Sequence, residues 1–141
     1  MTLAVLCEKV LHEADNVVSI IRIIDRITHT AVGPDAPDVM VPISIQLMGA
    51  VILKPGDLRG NALIVFRLNE PDERVSDLGS VGVEFEGGER GVQLTLPISM
   101  QLDKTGLYWI DLVLGATETR REKLLTRIPL RVRYQPITSG G

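Results

Sequence analysis

Strict alternation of apolar and polar residues runs from Val92 to Leu102. Every even position in this stretch is apolar, and every odd position is polar or proline. Because side chains on a β-strand point alternately to opposite faces, the pattern predicts a strand with one buried face and one solvated face. The solvated face carries Gln93, Thr95, Ser99 and Gln101.

Further runs predict strands along the rest of the chain. They lie at Leu3 to Cys7, Val17 to Ile27, Val41 to Leu53, Ala62 to Leu68, Val81 to Phe85, Tyr108 to Leu114 and Leu124 to Tyr134. The run from Val17 to Ile27 is apolar at both odd and even positions, which predicts a strand that is covered on both faces. We find no long amphipathic helix and no internal repeat in the sequence. About eight strands at this spacing predict an all-β fold, namely an antiparallel β-sandwich of the immunoglobulin-like, Greek-key kind.

Turn residues separate the predicted strands. Proline and glycine between Lys54 and Asp57 predict one turn. The glycines from Gly87 to Gly91 predict a hairpin into the strand that starts at Val92. We expect residues 8–16 to be irregular and residues 30–38 to form the longest loop.

Length and composition indicate one domain. The chain has 141 residues, enough for a core of its own. We assign residues 1–135 to the domain and residues 136–141 to a flexible tail. Only two Phe, two Tyr and one Trp are present, so the core is expected to consist of Val, Ile and Leu, of which Val and Ile favour strands.

Charge and cysteine content limit the partners and the compartment. The net charge of -3 gives no general attraction to nucleic acid or to anionic lipid. No apolar run approaches the roughly 20 residues that span a bilayer. Cys7 is the single cysteine, so nothing favours a disulfide or an oxidising compartment. The segment before it lacks the basic start of a secretion signal, and we expect a soluble cytoplasmic protein with Cys7 buried.

Asp103, Gly106 and Tyr108 predict a structural corner. A tyrosine that enters an inner strand just after a glycine turn places its ring over the core edge, and its hydroxyl hydrogen-bonds nearby backbone. Asp103 is expected to cap the same turn. The arrangement resembles the Asp-x-Gly-x-Tyr corner of immunoglobulin-like domains, although the paired cysteines of those domains are absent.

Several short motifs resemble a family of uncharacterised bacterial β-sandwich proteins. The motifs are Ala4 to Cys7, Ile20 to Ile27, Leu68 to Asp72, Leu102 to Tyr108 and Ile128 to Val132. The resemblance covers most of the chain and implies a compact sandwich. That family has no assigned activity, so the resemblance supplies no functional residues.

The sequence contains no recognisable catalytic constellation. Lys104-Thr105-Gly106 matches the Lys-Thr-Gly box of penicillin-recognising serine enzymes, but no serine has a lysine three residues after it. Cys7 is expected to pack in the core rather than to act as a nucleophile. Arg22 and Asp25, inside the second predicted strand, are the only charges placed unusually. We therefore predict no enzymatic activity.

Metal and cofactor sites are not predicted either. His12, Glu13 and Asp15 cluster in one segment, and His29 is the other histidine. Metal sites need three or four convergent ligands, and these residues lack the short spacings that are typical of such sites. The glycine-rich loops lack the Gly-Lys-Ser/Thr ending of a phosphate loop.

Surface residues near the C-terminus are the candidate partner site. Trp109 lies on the non-core face of its predicted strand, flanked by Leu107 and Val113. The arginines of one face of the last strand are Arg127, Arg131 and Arg133. Asp111 is expected to form a cross-strand ion pair with one of them. The apolar residues Met48, Ile52, Leu63 and Val65 also point away from the core, so a loop, the segment 8–16 or another subunit is expected to cover them.

These observations favour a binding protein without catalysis. We expect a protein partner, including a second copy of the chain, at the Trp109, Leu107, Val113, Arg131 and Arg133 surface. The alternative is a small-ligand or carbohydrate-binding sandwich with its site in the loops at 30–38 and 69–77. A flat apolar patch around Trp109 would favour the first, and a concave polar pocket the second.

Overall fold

The computed structural model describes residues 2–12, 18–35, 37–54, 60–86, 91–117 and 120–137, of which residues 2, 10–12 and 18–22 are described by backbone alone. The strands are β1 (Thr2–His12), β2 (Val18–Ile23), β3 (Arg26–Val32), β4 (Ile43–Leu53), β5 (Gly60–Asn69), β6 (Val75–Phe85), β7 (Val92–Leu102), β8 (Gly106–Leu114) and β9 (Lys123–Ile137). Among the described residues, no helix is long and apolar enough to cross a membrane. The predicted all-β class is confirmed.

Two sheets share these strands. The first sheet has the order β2-β1-β4-β7, and the second has the order β3-β9-β8-β5-β6 and is curled into a half-barrel. The pairing is antiparallel except between β3 and β9, which run parallel. The prediction of antiparallel strands is therefore wrong for this one pair. A tight hairpin forces antiparallel pairing, but β3 and β9 are far apart in the chain and no hairpin joins them.

The chain changes sheets between Ile24 and Asp25. The Ile24 N–H donates to the Leu6 carbonyl in the first sheet (2.8 Å), whereas the Asp25 carbonyl accepts from the Arg131 N–H in the second (3.0 Å). The single strand predicted from Val17 to Ile27 is thus two strands. The apolar pattern of this sequence segment therefore covers one strand of each sheet in turn.

β1 is longer than its sequence pattern predicts. It continues to His12, although residues 8–16 were expected to be irregular. Antiparallel pairing with β2 supports the added length, from Cys7 opposite Ile23 to His12 opposite Val18. Residues 13–17 lie outside the described part of the chain. The backbone ladder, rather than side-chain alternation, defines this end of the strand.

β7 has the two faces that its alternation predicts. Ile98 and Met100 are buried, and Ser99 between them is exposed. Its partner differs from the prediction, because β7 pairs with β4 over its whole length while β6 pairs with β5. The prediction of a hairpin between β6 and β7 is therefore wrong. The two strands lie in different sheets, and residues 87–90 between them are outside the described residues.

Both sheets contribute side chains to one apolar core. Its completely buried members include Leu6, Ile64, Phe66, Ile98, Leu102, Tyr108, Ile110, Leu112, Leu114 and Leu130. Most are aliphatic, as the composition predicts. Gly49 of β4 permits close packing here, because a Cβ at this position would lie 2.9 Å from Ile98 Cδ1 and 3.3 Å from Phe66 Cε1.

The last strand extends past its predicted end. Pro136 and Ile137 lie in β9 beside β3, although they were assigned to a flexible tail; residues 138–141 are outside the described residues. β3 in turn runs to Val32, inside the predicted loop. The Tyr134 hydroxyl donates to the Pro37 carbonyl (2.5 Å) and so ties the remaining loop to β9.

Candidate functional site

The turn between β7 and β8 contains the tyrosine corner. The Tyr108 ring is completely buried, and its hydroxyl donates to the Lys104 carbonyl (2.8 Å) and accepts from the Lys104 N–H (3.3 Å). Gly106 has a φ of 131°, a conformation that side chains rarely adopt, and a Cβ there would lie 3.0 Å from Pro71 Cγ. These are the backbone contacts that the Gly106-x-Tyr108 pattern predicts.

Lys104 is held at the centre of an acidic cluster. Its Nζ lies 2.7 Å from Asp103 Oδ1, 3.0 Å from Glu70 Oε1 and 3.5 Å from Asp72 Oδ2. The hydrogen bond from Lys104 lowers the pKa of the Asp103 carboxyl. The Asp103 carboxylate thus binds the lysine side chain beside the turn. Lys104 of the Lys-Thr-Gly match forms structural ion pairs at the corner.

Trp109 and Arg127 lie together on the outer face of the second sheet. The Arg127 guanidinium carbon is 4.9 Å from the centre of the Trp109 ring, and Arg127 Nε donates to Asp111 Oδ1 (2.8 Å). The amide of Asn69 donates to Asp111 Oδ2 (2.8 Å). The cross-strand ion pair predicted for Asp111 is present. Trp109 is half-buried and has an intramolecular cation–π partner, so it is not the centre of a bare apolar patch.

Arg67 forms a second ion-pair group on the same face. Its Nε lies 2.9 Å from Asp77 Oδ1, and its Nη1 lies 2.6 Å from Glu122 Oε1. The bond from Arg67 lowers the pKa of the Glu122 carboxyl. The positive charges of Arg67 and Arg127 are therefore both balanced within the chain.

Val113 is buried, although the sequence pattern places it in the partner surface. Its side chain is only 4% exposed, beside a bulge at which the register between β8 and β9 shifts. Val65 faces it from β5 and Leu124 from β9. Leu107, at the other end of β8, is half-buried opposite Arg131. The Val113 side chain is therefore packed between neighbouring strands and does not form part of the exposed surface predicted around Trp109.

Three arginines form a basic strip along the edge of the second sheet: Arg26, Arg131 and Arg133. Arg26 lies opposite Arg131 across β3 and β9, and Thr28 lies opposite Arg133. All three arginine side chains are exposed, and none has an ion pair among the described residues. An open groove of about 520 Å³ lies beside Arg131 and Arg133 and is lined by Thr28, Thr105, Gly106, Arg131, Val132, Arg133, Tyr134 and Gln135.

The outer face of the first sheet carries an apolar patch, which we call the apolar face: Leu3, Val5, Cys7, Ile23, Met48, Ala50 and Ile52. These residues are neighbours across β2, β1 and β4. Leu3 is 50% exposed and Ile23 is 63% exposed. Met48 and Ile52 therefore lie on a different sheet from Leu63 and Val65, and the outward apolar residues form two separate groups.

Cys7 is buried, but on the apolar face rather than in the main core. Its Sγ lies 3.5 Å from the Met48 carbonyl, and burial raises the pKa of the thiol. His29 stacks on Tyr134 with ring centres 5.7 Å apart. The side chains of His12 and Arg22 and the residues Glu13 and Asp15 lie outside those described. Within the described residues, no three His, Cys, Asp or Glu converge as metal ligands do.

Sequence reasoning missed Arg26 and Thr28 as members of the candidate surface. The sequence pattern places Arg26 in a single strand from Val17 to Ile27 and leaves Thr28 between that strand and the loop at 30–38, and it does not indicate which strand lies beside them. The signal in the sequence is the alternation of the polar residues Arg26, Thr28 and Thr30 with Ile27, His29 and Ala31, and in the structure the first set is exposed and the second half-buried. Only the parallel pairing with β9 brings Arg26 beside Arg131.

Comparison with protein family models and with curated proteins does not assign a function to this chain. The chain matches no protein family model, and no curated protein is significantly similar to it. The candidate site therefore depends on its geometry and charge.

Proposed function

We propose that this protein is a non-catalytic binding module that recognises an acidic surface of a partner protein through the basic strip. The observation that carries the proposal is the contrast among arginines on one sheet face. Arg67 and Arg127 are balanced by carboxylates, whereas Arg131 and Arg133 have no ion pair among the described residues. Unbalanced arginines beside an open groove attract anionic groups.

An immunoglobulin-like sandwich is the architecture that we propose for this module. The order β9-β8-β5-β6 corresponds to the G-F-C sheet of immunoglobulin domains extended by C′. The order β1-β4-β7 corresponds to A-B-E. Tyr108 near the start of β8 corresponds to the corner tyrosine of strand F. The resemblance to uncharacterised bacterial β-sandwich proteins and a cytoplasmic location belong to the same proposal, the latter supported by the free Cys7 thiol.

Fluorescence anisotropy with a labelled poly-glutamate peptide tests the proposal. At low salt, the wild-type protein is expected to bind, and the double variant Arg131→Ala/Arg133→Ala to bind about tenfold more weakly, since exposed charge pairs contribute up to about 1 kcal/mol each. Arg121→Ala, an exposed arginine in another segment, is the matched control and should leave the affinity unchanged. Equal affinities for all three proteins would refute the basic strip as the site.

Self-association through the apolar face is a second candidate. The observation that favours it is the contiguous set of apolar side chains around Leu3 and Ile23 on the first sheet. In sedimentation velocity, wild type is expected to form a dimer as concentration rises and Leu3→Glu to remain a monomer. Gln101→Glu adds the same charge at an exposed position opposite Ser44, outside the apolar face, and as the control should form dimers as wild type does. A wild-type monomer at every concentration would exclude this candidate.

A further inference from the structure

The edge strand β3 offers unpaired backbone next to the basic strip. β3 is the last strand of the second sheet and pairs with β9 alone within the part of the chain that the structure describes. The edge of a sheet presents a row of N–H and C=O groups that can pair with another extended chain. Such pairing gives affinity through the main chain and specificity through alternate side chains.

Hydrogen bonds at the two ends of β3 show which residues face the open side. The Asp25 carbonyl accepts from the Arg131 N–H, and the Gly33 N–H donates to the Ile137 carbonyl. Odd-numbered residues therefore direct their N–H and C=O groups to β9. Because this direction alternates along a strand, Arg26, Thr28, Thr30 and Val32 direct theirs to the open edge.

β3 also lacks the protection found on two other edges of the fold. The edge strand β7 contains Pro97, which has no N–H to donate, and the edge strand β6 has a register shift opposite Phe66 and Arg67. β3 contains no proline, and its register with β9 is continuous over seven residues. It is thus a regular edge that is suited to pairing.

The charge beside this edge specifies the chemistry of the partner. Neighbouring strands lie about 4.8 Å apart, so an added strand would run beside Arg26 on β3 and about 10 Å from β9, within reach of the extended side chains of Arg131 and Arg133. Alternate residues of an extended segment share one face. Carboxylates at every second position would then all meet the basic strip.

We propose that the partner adds an extended, acidic segment as a strand on β3, with its acidic residues at alternate positions beside Arg26, Arg131 and Arg133. This inference rests on the proposed function and specifies the binding mode. The two kinds of contact determine different properties of the partner. Hydrogen bonds to the β3 backbone select an extended chain, and the arginine side chains select a negatively charged one.

Two peptides of identical composition test the binding mode by fluorescence anisotropy. In one, glutamate alternates with threonine; in the other, the glutamates are contiguous. We expect the alternating peptide to bind at least about tenfold more tightly. Thr30→Pro removes an edge donor while keeping the ladder to β9, so it should weaken the alternating peptide and leave the contiguous one unchanged. The same test can be made on the wild-type protein with an alternating peptide whose backbone nitrogens are methylated at every second residue. This peptide cannot donate hydrogen bonds along one edge and should also bind more weakly.

The outcomes separate the two levels of the proposal. One outcome is that both peptides bind wild type with equal affinity and that neither binds the Arg131→Ala/Arg133→Ala variant. This outcome would overturn strand addition and leave the proposed function standing. No binding of either peptide would overturn both. A single-stranded oligonucleotide that displaces the alternating peptide at equal concentration would replace the protein partner with nucleic acid. Self-association abolished by Thr30→Pro would make a second copy the occupant.

Discussion

Asp111 and Arg127 face each other across β8 and β9, with Arg127 Nε 2.8 Å from Asp111 Oδ1. This ion pair places the Arg127 guanidinium over Trp109. It separates the arginines of β9 into one that is structural and two, Arg131 and Arg133, that have no ion pair among the described residues. The same face of β9 thus carries one arginine whose charge is balanced within the chain and two whose charges are available to a partner.

The first prediction concerns this pair. A double-mutant cycle with Asp111→Asn and Arg127→Gln should give a coupling of about 0.5 to 1 kcal/mol, since Arg127 is 45% exposed and solvent screens the pair. Trp109 is the single tryptophan, so its emission reports the loss of its cover. We expect a red shift in Arg127→Gln and none in Arg121→Gln. An unshifted spectrum would show that Arg127 does not cover the indole in solution.

A second prediction tests the tyrosine corner. The Tyr108 ring is completely buried, and its hydroxyl donates a hydrogen bond to the Lys104 carbonyl. Tyr108→Phe removes this bond and should lower the free energy of unfolding by about 1 to 2 kcal/mol. Tyr134→Phe, whose hydroxyl bonds an exposed carbonyl, should cost less. Denaturant unfolding measures both values. A loss for Tyr108→Phe no larger than that for Tyr134→Phe would contradict the role of the corner.

Acid sensitivity follows from the cluster around Lys104. The pKa of Asp103 in the folded state is lowered from its ordinary value of 3.8 by the bond from Lys104. A lowered pKa means that Asp103 contributes stability above its unfolded pKa and loses it as pH falls through its folded pKa. Between neutral pH and pH below 3.8, wild type should therefore lose more unfolding free energy than Asp103→Asn or Lys104→Met. Equal losses in the three proteins would be inconsistent with this cluster.

Thiol chemistry provides a fourth prediction. Cys7 is completely buried and burial raises the pKa of its thiol, so little thiolate is available to attack a reagent. Its reaction with a disulfide reagent should be slow in the folded protein and fast after unfolding in denaturant. Ile23→Ala, which removes an apolar neighbour across β1 and β2, should speed the folded-state reaction. A rapid reaction in native wild type would show that Cys7 is accessible.

The sequence predicted the parts of the fold that depend on side-chain alternation. The faces of β7 and the corner at Tyr108 follow from local pattern and turn chemistry. Strand partners do not, because pairing is decided by which backbone edges meet in space. For this reason Gly87 to Gly91 suggested a hairpin, although β6 and β7 lie in different sheets.

The candidate site was predicted in part. Leu107, Arg131 and Arg133 do lie on one outer face, and Asp111 does pair with an arginine. Val113 is buried beside a bulge, which no alternation pattern reveals. Arg26 entered the site only through a parallel contact between segments about a hundred positions apart in sequence, a contact that neither segment encodes locally.

Chemical-shift mapping of backbone amides tests the central claim most directly. The ¹⁵N-labelled protein is titrated with the alternating glutamate–threonine peptide at low salt. We expect the largest shifts on the amides of β3 and β9, from Arg26 to Thr30 and from Arg131 to Arg133. Shifts concentrated on the apolar face around Leu3 and Met48, or no shifts at saturating peptide, would contradict it.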